Sequence, residues 1–166
     1  IAQECGFKIP RTKITNSTNI QIDEDKEYVV KSLDTALFYD LQKQREMFTY
    51  SNVIEGAELK EYNLRQAPVF VQEFLQPKVD CRITYVKGIF FAVKILKDNA
   101  GMYGDWRFYK EQLEYVPFEL PENVKCQIDE LMRKLKLNFG GIDLAYTKEE
   151  YYVNNNRGYK DYDIYQ

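Results

Sequence analysis

The stretch DCRITYVKGIFFAVKIL (residues 80–96) sets two strand-like runs, 80–86 and 89–96, on either side of Lys87-Gly88. A two-residue connection with glycine second is the mark of a type I′ hairpin turn, because both central residues need positive φ. A strict turn of this kind pairs Val86 with Ile89 and hence Arg82 with Val93. Lys94 then points to the opposite face from Arg82. A bulge, or a register change of one residue, would instead bring the two cations together. Neighbouring cations repel unless an anion separates them, and arginine reads phosphate oxygens bidentately. Two readings are open: solvated charges on opposite faces, or a phosphate clamp.

Upstream lies FVQEFLQPKVDCRI (70–83), in which a strand passes Gln72 and Glu73 and crosses a proline to reach Asp80 and Arg82. The strand, APVFVQEFL (67–75), is too apolar at its centre to alternate and is expected to be buried on both faces. Its polar end reads either as a plain sheet edge or as a hinge. A hinge would present one backbone C=O and one N–H side by side, matching the edge of adenine. KEYVVKSL (26–33) is a second β-favouring run. Lys31 near its end is either a snorkelling surface lysine or an ammonium fixed toward a phosphate.

The remaining pattern is coarser. Gly6 suits the left-handed position after a helix end at Cys5. A short helix is expected over 34–47, with Leu37, Leu41 and Arg45 on one side, then strand at 47–54 and polar loop with a helical turn at 55–67. PENVKCQIDELMRKLKLNFGG (121–141) carries the strongest helix signal, with Pro121 near the first helical position. Val124, Ile128, Leu131, Met132 and Leu135 form its apolar stripe, and Asn138 and Gly140 its end. Strands follow at 141–147 and 151–153. The order is that of an α+β chain. Asp143 stands in GIDLAYT among apolar residues, where a carboxylate is costly unless it is paired or bound to a cation. A structural hydrogen bond and an Mg²⁺ ligand are both open.

Composition narrows the chemistry. The chain has 166 residues and no histidine, so histidine-based triads are excluded, and acid–base or metal work falls to carboxylates, lysines, arginines or a ligand. Its three scattered cysteines make no C-x-x-C pair, which argues against zinc and suits a reducing cytoplasm. A net charge of −3 gives no general attraction to nucleic acid or acidic membranes. No apolar run is long enough to span a bilayer.

Six strings then stand in a familiar order: CGFKIPRTKITN (5–16), YVVKSL (28–33), APVFVQEFL (67–75), VDCRITYVKGIFFAVKI (79–95), GDWRFY (104–109) and LKLNFGGIDLAYT (135–147). Together they resemble the ATP-grasp superfamily of ligases. The series FVQEFL, DCR, GDWR, GGIDL is similar to the branch containing the maturases of microviridin-type graspetides and the ribosomal-protein glutamate ligases. The resemblance implies an ATP-grasp fold of two α+β subdomains with ATP held between antiparallel sheets. It implies an ATP-dependent carboxylate ligase working through an acyl phosphate on a precursor peptide or protein, with ATP and Mg²⁺. Lys31 would touch the nucleotide phosphates. Gln72, Glu73, Phe74 and Leu75 would form the adenine hinge, mostly through backbone, with Asp80 near the ribose. Arg82, Lys94 and Arg107 would hold the γ-phosphate and the acyl phosphate, and Asp143 would be the first Mg²⁺ ligand.

On this reading residues 1–15 are the end of a preceding domain or a linker. The first subdomain with the hinge is 16–75, the catalytic subdomain 76–153, and 154–166 a tail. The family completes its metal site with Glu-x-Asn, whereas here EYYV runs into Asn154-Asn155-Asn156. Three explanations are open: residues missing between Val153 and the tail, a truncated chain, or lost catalysis. The absent initiator methionine and the change of character after Val153 favour the first. The expected partner is a peptide or protein, with a homodimer also open and neither nucleic acid nor membrane involved. The competing readings are a catalytically inactive ATP-grasp-like module that binds nucleotide or peptide, and an unrelated α+β structural domain.

Overall fold

The computed structural model describes residues 1–153 other than 18, 34–36, 49 and 63. The expectations for Asn154–Asn156 and the tail, and the start of the 34–47 segment, lie outside the described residues. The strands are β1 (Thr12–Thr15), β2 (Glu27–Ser32), β3 (Leu37–Asp40), β4 (Arg45–Phe48), β5 (Asn52–Glu55), β6 (Val69–Glu73), β7 (Val79–Val86), β8 (Ile89–Leu96), β9 (Glu114–Pro117), β10 (Phe139–Thr147) and β11 (Glu150–Val153). The helices are α1 (Gly56–Leu59) and α2 (Glu122–Leu135), with short 3₁₀ turns at Gln3–Cys5, Leu64–Gln66 and Trp106–Gln112. No described helix is long and apolar enough to cross a membrane.

The chain forms two compact units. The first comprises Ile1–Pro10 and the described residues from Leu75 onward; the second is Arg11–Phe74. The first unit is built on an antiparallel sheet of order β11-β10-β7-β8-β9. Its centre is the hairpin that the sequence announces. Val86 pairs with Ile89, Lys87 and Gly88 take φ of 46° and 86°, and no bulge intervenes. Strict alternation then sends Cys81, Ile83 and Tyr85 of β7 to one face, with Ala92 of β8 and Ile142 and Leu144 of β10.

Helix α2 covers that face with Val124, Ile128, Leu131 and Met132, all buried. The stripe is as expected, but the helix stops earlier, at Leu135. Lys136 takes the left-handed conformation (φ 57°), and the N–H of Leu137 closes on the Met132 carbonyl at 2.9 Å.

The terminal segment 1–15 is not one linker but is divided. Cys5 and Phe7 are buried in the core beside α2, with Gly6 left-handed (φ 84°) between them. The Val153 N–H donates to the Lys8 carbonyl at 3.0 Å, and the Lys8 ammonium holds the Glu150 carboxylate at 2.5 and 2.6 Å. Thr12–Thr15, by contrast, is a strand of the other unit.

That second unit carries a sheet of order β1-β6-β2-β5 and a separate β3-β4 hairpin. Ile20, Ile54, Leu59, Leu64 and Val71 form its core. In β6 the adjacent residues Val71 and Gln72 are both buried, so both faces are covered at its centre, as its composition predicts. The helix expected over 34–47 is instead the β3-β4 hairpin. Asp40 Oδ1 accepts the N–H groups of Gln42 (3.0 Å) and Lys43 (3.1 Å), and Gln44 takes φ 50°. Leu41, assigned to the apolar side of that helix, is 79% exposed at the turn. An acceptor side chain that closes a local turn outcompetes helical hydrogen bonding here.

The three cysteines are free, with Cys5 and Cys81 buried and Cys126 exposed. Burial first, then the nearby Asp80 charge, pushes the Cys81 thiol up to about 12. Thiolate is the reactive form. Iodoacetamide at pH 8 is therefore expected to modify Cys126 alone in the folded protein and all three after denaturation, read by intact mass.

Candidate functional site

The face of the first unit turned away from α2 gathers the charges. Asp80 and Arg82 leave β7 on that side, and Arg82 sits opposite Asp143 on β10 in register. The Arg82 Nη1 donates to Asp143 Oδ1 at 2.7 Å. The pair is half-buried, with the side chains 40% and 27% exposed. Gly141 makes the crossing possible. A Cβ there would stand 2.4 Å from Arg82 Nη2 and 2.7 Å from Cζ. Its φ is not positive, so the glycine supplies space rather than backbone freedom. The GGID string thus serves the guanidinium that lies over it.

Asp80 is buried and ion-paired with Lys78, whose side chain is 9% exposed. Burial holds its carboxyl above the ordinary range. Lys78 opposes this, while Asp105 and Asp143 add to it. The segment after β8 packs tightly on the start of β7, for a Cβ on Gly101 would meet the Lys78 carbonyl oxygen at 1.8 Å. Asp105 follows, 5% exposed, and clamps Arg107. It accepts the Arg107 backbone N–H at 3.0 Å and Nε at 2.9 and 3.1 Å, and it also bonds Nη2. Such a grip fixes the plane of the guanidinium. Tyr103–Tyr109, the aromatic stretch around this clamp, holds itself through the Tyr109 hydroxyl and a Lys97 ammonium 4.7 Å from the Tyr109 ring.

Lys94 does not join this face. It pairs with Cys81, whose side chain enters the core, and its ammonium lies 5.1 Å from the Phe118 ring. The register has no bulge to turn it, so the expectation that Lys94 and Arg82 hold one phosphate is corrected. Lys78, by contrast, was not singled out in the sequence. Lys78 immediately precedes β7, so strand alternation does not mark it.

In the second unit, β6 runs between β1 and β2. The Lys31 ammonium donates to Gln72 Oε1 at 2.7 Å, and Gln72 Nε2 donates to Thr12 Oγ1 at 2.8 Å. The Glu73 N–H goes to the Arg11 carbonyl at 2.8 Å, and Glu73 Oε2 accepts the Arg11 N–H at 3.3 Å. The ladder therefore uses the Glu73 amide donor that a hinge would need.

Among the described residues no three His, Cys, Asp or Glu side chains come together as a metal site requires. Asp143 stands on the sheet with Arg82 on it, while Asp80 and Asp105 are occupied by Lys78 and Arg107. These residues alone do not make an Mg²⁺ site.

A five-stranded antiparallel sheet backed by one helix, with a separate β unit preceding it in the chain, is the ATP-grasp arrangement, and solved structures agree. An RiPP-associated ATP-grasp ligase from Chryseobacterium gregarium, in complex with ADP and a leader and core peptide, is 27% identical with a TM-score of 0.77, over 92% of this chain and 48% of that one. The macrocyclase MdnC from Microcystis aeruginosa MRC, bound to its precursor peptide MdnA, is 26% identical with a TM-score of 0.71, over 92% and 47%. D-alanine–D-alanine ligase from Bacillus anthracis, complexed with ATP, shares the fold alone at 13% identity and a TM-score of 0.55. The chain has the ATP-grasp fold, and the structures it resembles include an RiPP-associated ATP-grasp ligase and a macrocyclase, each with a bound peptide. It spans about half the length of those structures. No protein-family model and no curated protein matches it.

Gly141→Ala is expected to push the Arg82 guanidinium off Asp143. In urea unfolding the coupling between Arg82→Ala and Asp143→Ala, about 0.5–1 kcal/mol for a half-exposed pair, should fall to near zero in the Gly141→Ala background. An unchanged coupling would mean that the guanidinium does not need the space.

Proposed function

We propose that this chain is the ATP-binding portion of an ATP-dependent, ADP-forming carboxylate ligase acting on a peptide or protein, a ribosomal peptide maturase. ATP phosphorylates a carboxylate. An amine or hydroxyl then attacks the acyl phosphate, a C–N or C–O bond forms, and phosphate leaves. Arg82 and Arg107 stabilise the charge on the transferring phosphoryl group. Lys31 binds the nucleotide phosphates, Phe74 and Leu75 hold adenine, and Asp80 lies near the ribose.

The observation that carries this reading is the pair of fixed guanidiniums on one unit. Arg82 is steered over Gly141 to Asp143, and Arg107 is gripped by Asp105. Phosphoryl transfer is mainly positioning and charge neutralisation, so it runs without histidine. The likeness to two peptide-bound ligases over 92% of the chain supports the substrate class. In the family Mg²⁺ neutralises phosphate charge, and Asp143 is where it would reach this chain. The described residues do not complete that site. Three free thiols fit a reducing cytoplasm, where this enzyme would work.

An inactive module of the same fold is the alternative, favoured only by the incomplete ligand set. Turnover separates the two. Full-length protein incubated with its precursor peptide and Mg-ATP should release ADP and lose water mass from the peptide, and Mg-ATP at 100 times its Kd should stabilise it by about 2.7 kcal/mol. Arg82→Ala should lower kcat by about 10²–10³ with the fold intact. No stabilisation by millimolar Mg-ATP would refute the proposal. Stabilisation without ADP release would favour the inactive module.

A further inference from the structure

Gln72 is a buried polar side chain on the middle strand of the second unit, 4% exposed. It stands directly across from Thr12 on β1 and diagonally across from Lys31 on β2, since its own β2 partner is Val29. Three strands are thus joined on one face by two hydrogen bonds, Lys31 Nζ to Gln72 Oε1 at 2.7 Å and Gln72 Nε2 to Thr12 Oγ1 at 2.8 Å.

The direction of this chain follows from chemistry. An ammonium can only donate, so the amide oxygen must face Lys31, and the NH₂ group then faces the hydroxyl, which can accept. Both ends of the amide are used. A side chain held at both ends and only 4% exposed offers a base little access, and the backbone amide of its neighbour Glu73 is bound to Arg11.

We propose that Gln72 is a positioning residue: its side chain, oriented by Thr12, aims the Lys31 ammonium at the nucleotide phosphates and does not itself contact adenine. This rests on the phosphate-binding role given to Lys31 above. A free lysine head samples many rotamers, and fixing it on binding costs affinity. An acceptor at 2.7 Å removes much of that freedom beforehand. An amide does so without the negative charge that a carboxylate would set against the incoming phosphate. Glutamine in place of glutamate at this position then has a physical reason.

The test is a double-mutant cycle on the full-length protein, with ATP affinity measured by titration calorimetry. Gln72→Leu keeps the volume and removes the acceptor, and should weaken ATP binding about tenfold, the value of a hydrogen bond to a charged group. In a Lys31→Met background the same change should have no further effect, because Gln72 acts only through the ammonium. A merely structural role would not cancel in this way. If Gln72→Leu fails to fold, Thr12→Val loosens the amide without emptying the site, and its smaller loss should vanish equally with Lys31→Met. Losses that add instead of cancelling overturn the inference and leave the ligase reading standing. So does a Gln72→Leu variant with wild-type affinity when Lys31→Met has lost it. A wild-type protein that binds no ATP overturns both.

Discussion

The cross-strand pair of Arg82 and Asp143 ties the sheet of the first unit to its chemistry. A guanidinium and a carboxylate on facing positions of β7 and β10 attract across the sheet, but here they also fix where a cation sits relative to a cleared glycine. Half-exposed pairs contribute little to stability. In the proposed reaction their value lies in geometry, because a cation with a defined plane and reach can meet a transferring phosphoryl group without reorganising. The Asp105 clamp on Arg107 repeats the device with a buried carboxylate and a bidentate grip. Strict alternation along β7 makes this possible. It sends Cys81, Ile83 and Tyr85 into the core under α2 and leaves Asp80 and Arg82 on the other side.

Much of this was legible in the sequence wherever a local rule was strong. Lys87-Gly88 fixed the hairpin, its register and therefore the side of Arg82. The stripe from Val124 to Met132 marked the one long helix and its buried face. The same register reasoning points Lys94 away from Arg82 unless a bulge intervenes, and the ladder has none. What could not be read was local competition and pairing at a distance. Asp40 closes a turn that outweighs the helical spacing of Leu37, Leu41 and Arg45. Gln72 reads as part of a hinge because its strand ends there. The use of its side chain across three strands is a relation that exists only once β1, β6 and β2 are aligned.

The two units solve one problem in different ways. In the first, the cations Arg82, Arg107 and Lys78 are held by carboxylates. In the second, one partner of Lys31 is an amide. Ionic partners give stronger restraint and subtract from the local positive field, while a neutral partner restrains and leaves the field in place.

The path of the chain carries a consequence for its biosynthesis. Ile1–Pro10 belong to the first unit, yet their partners in α2 and β11 come after the whole of the second unit. The Lys8–Glu150 tie spans 142 positions. During translation residues 1–10 emerge before Arg11–Phe74, and Phe7 stays unburied while that second unit can condense on the ribosome. The first unit closes only when β10 and β11 have cleared the exit tunnel. Residues 1–10 are thus made before the second unit and find their place after it.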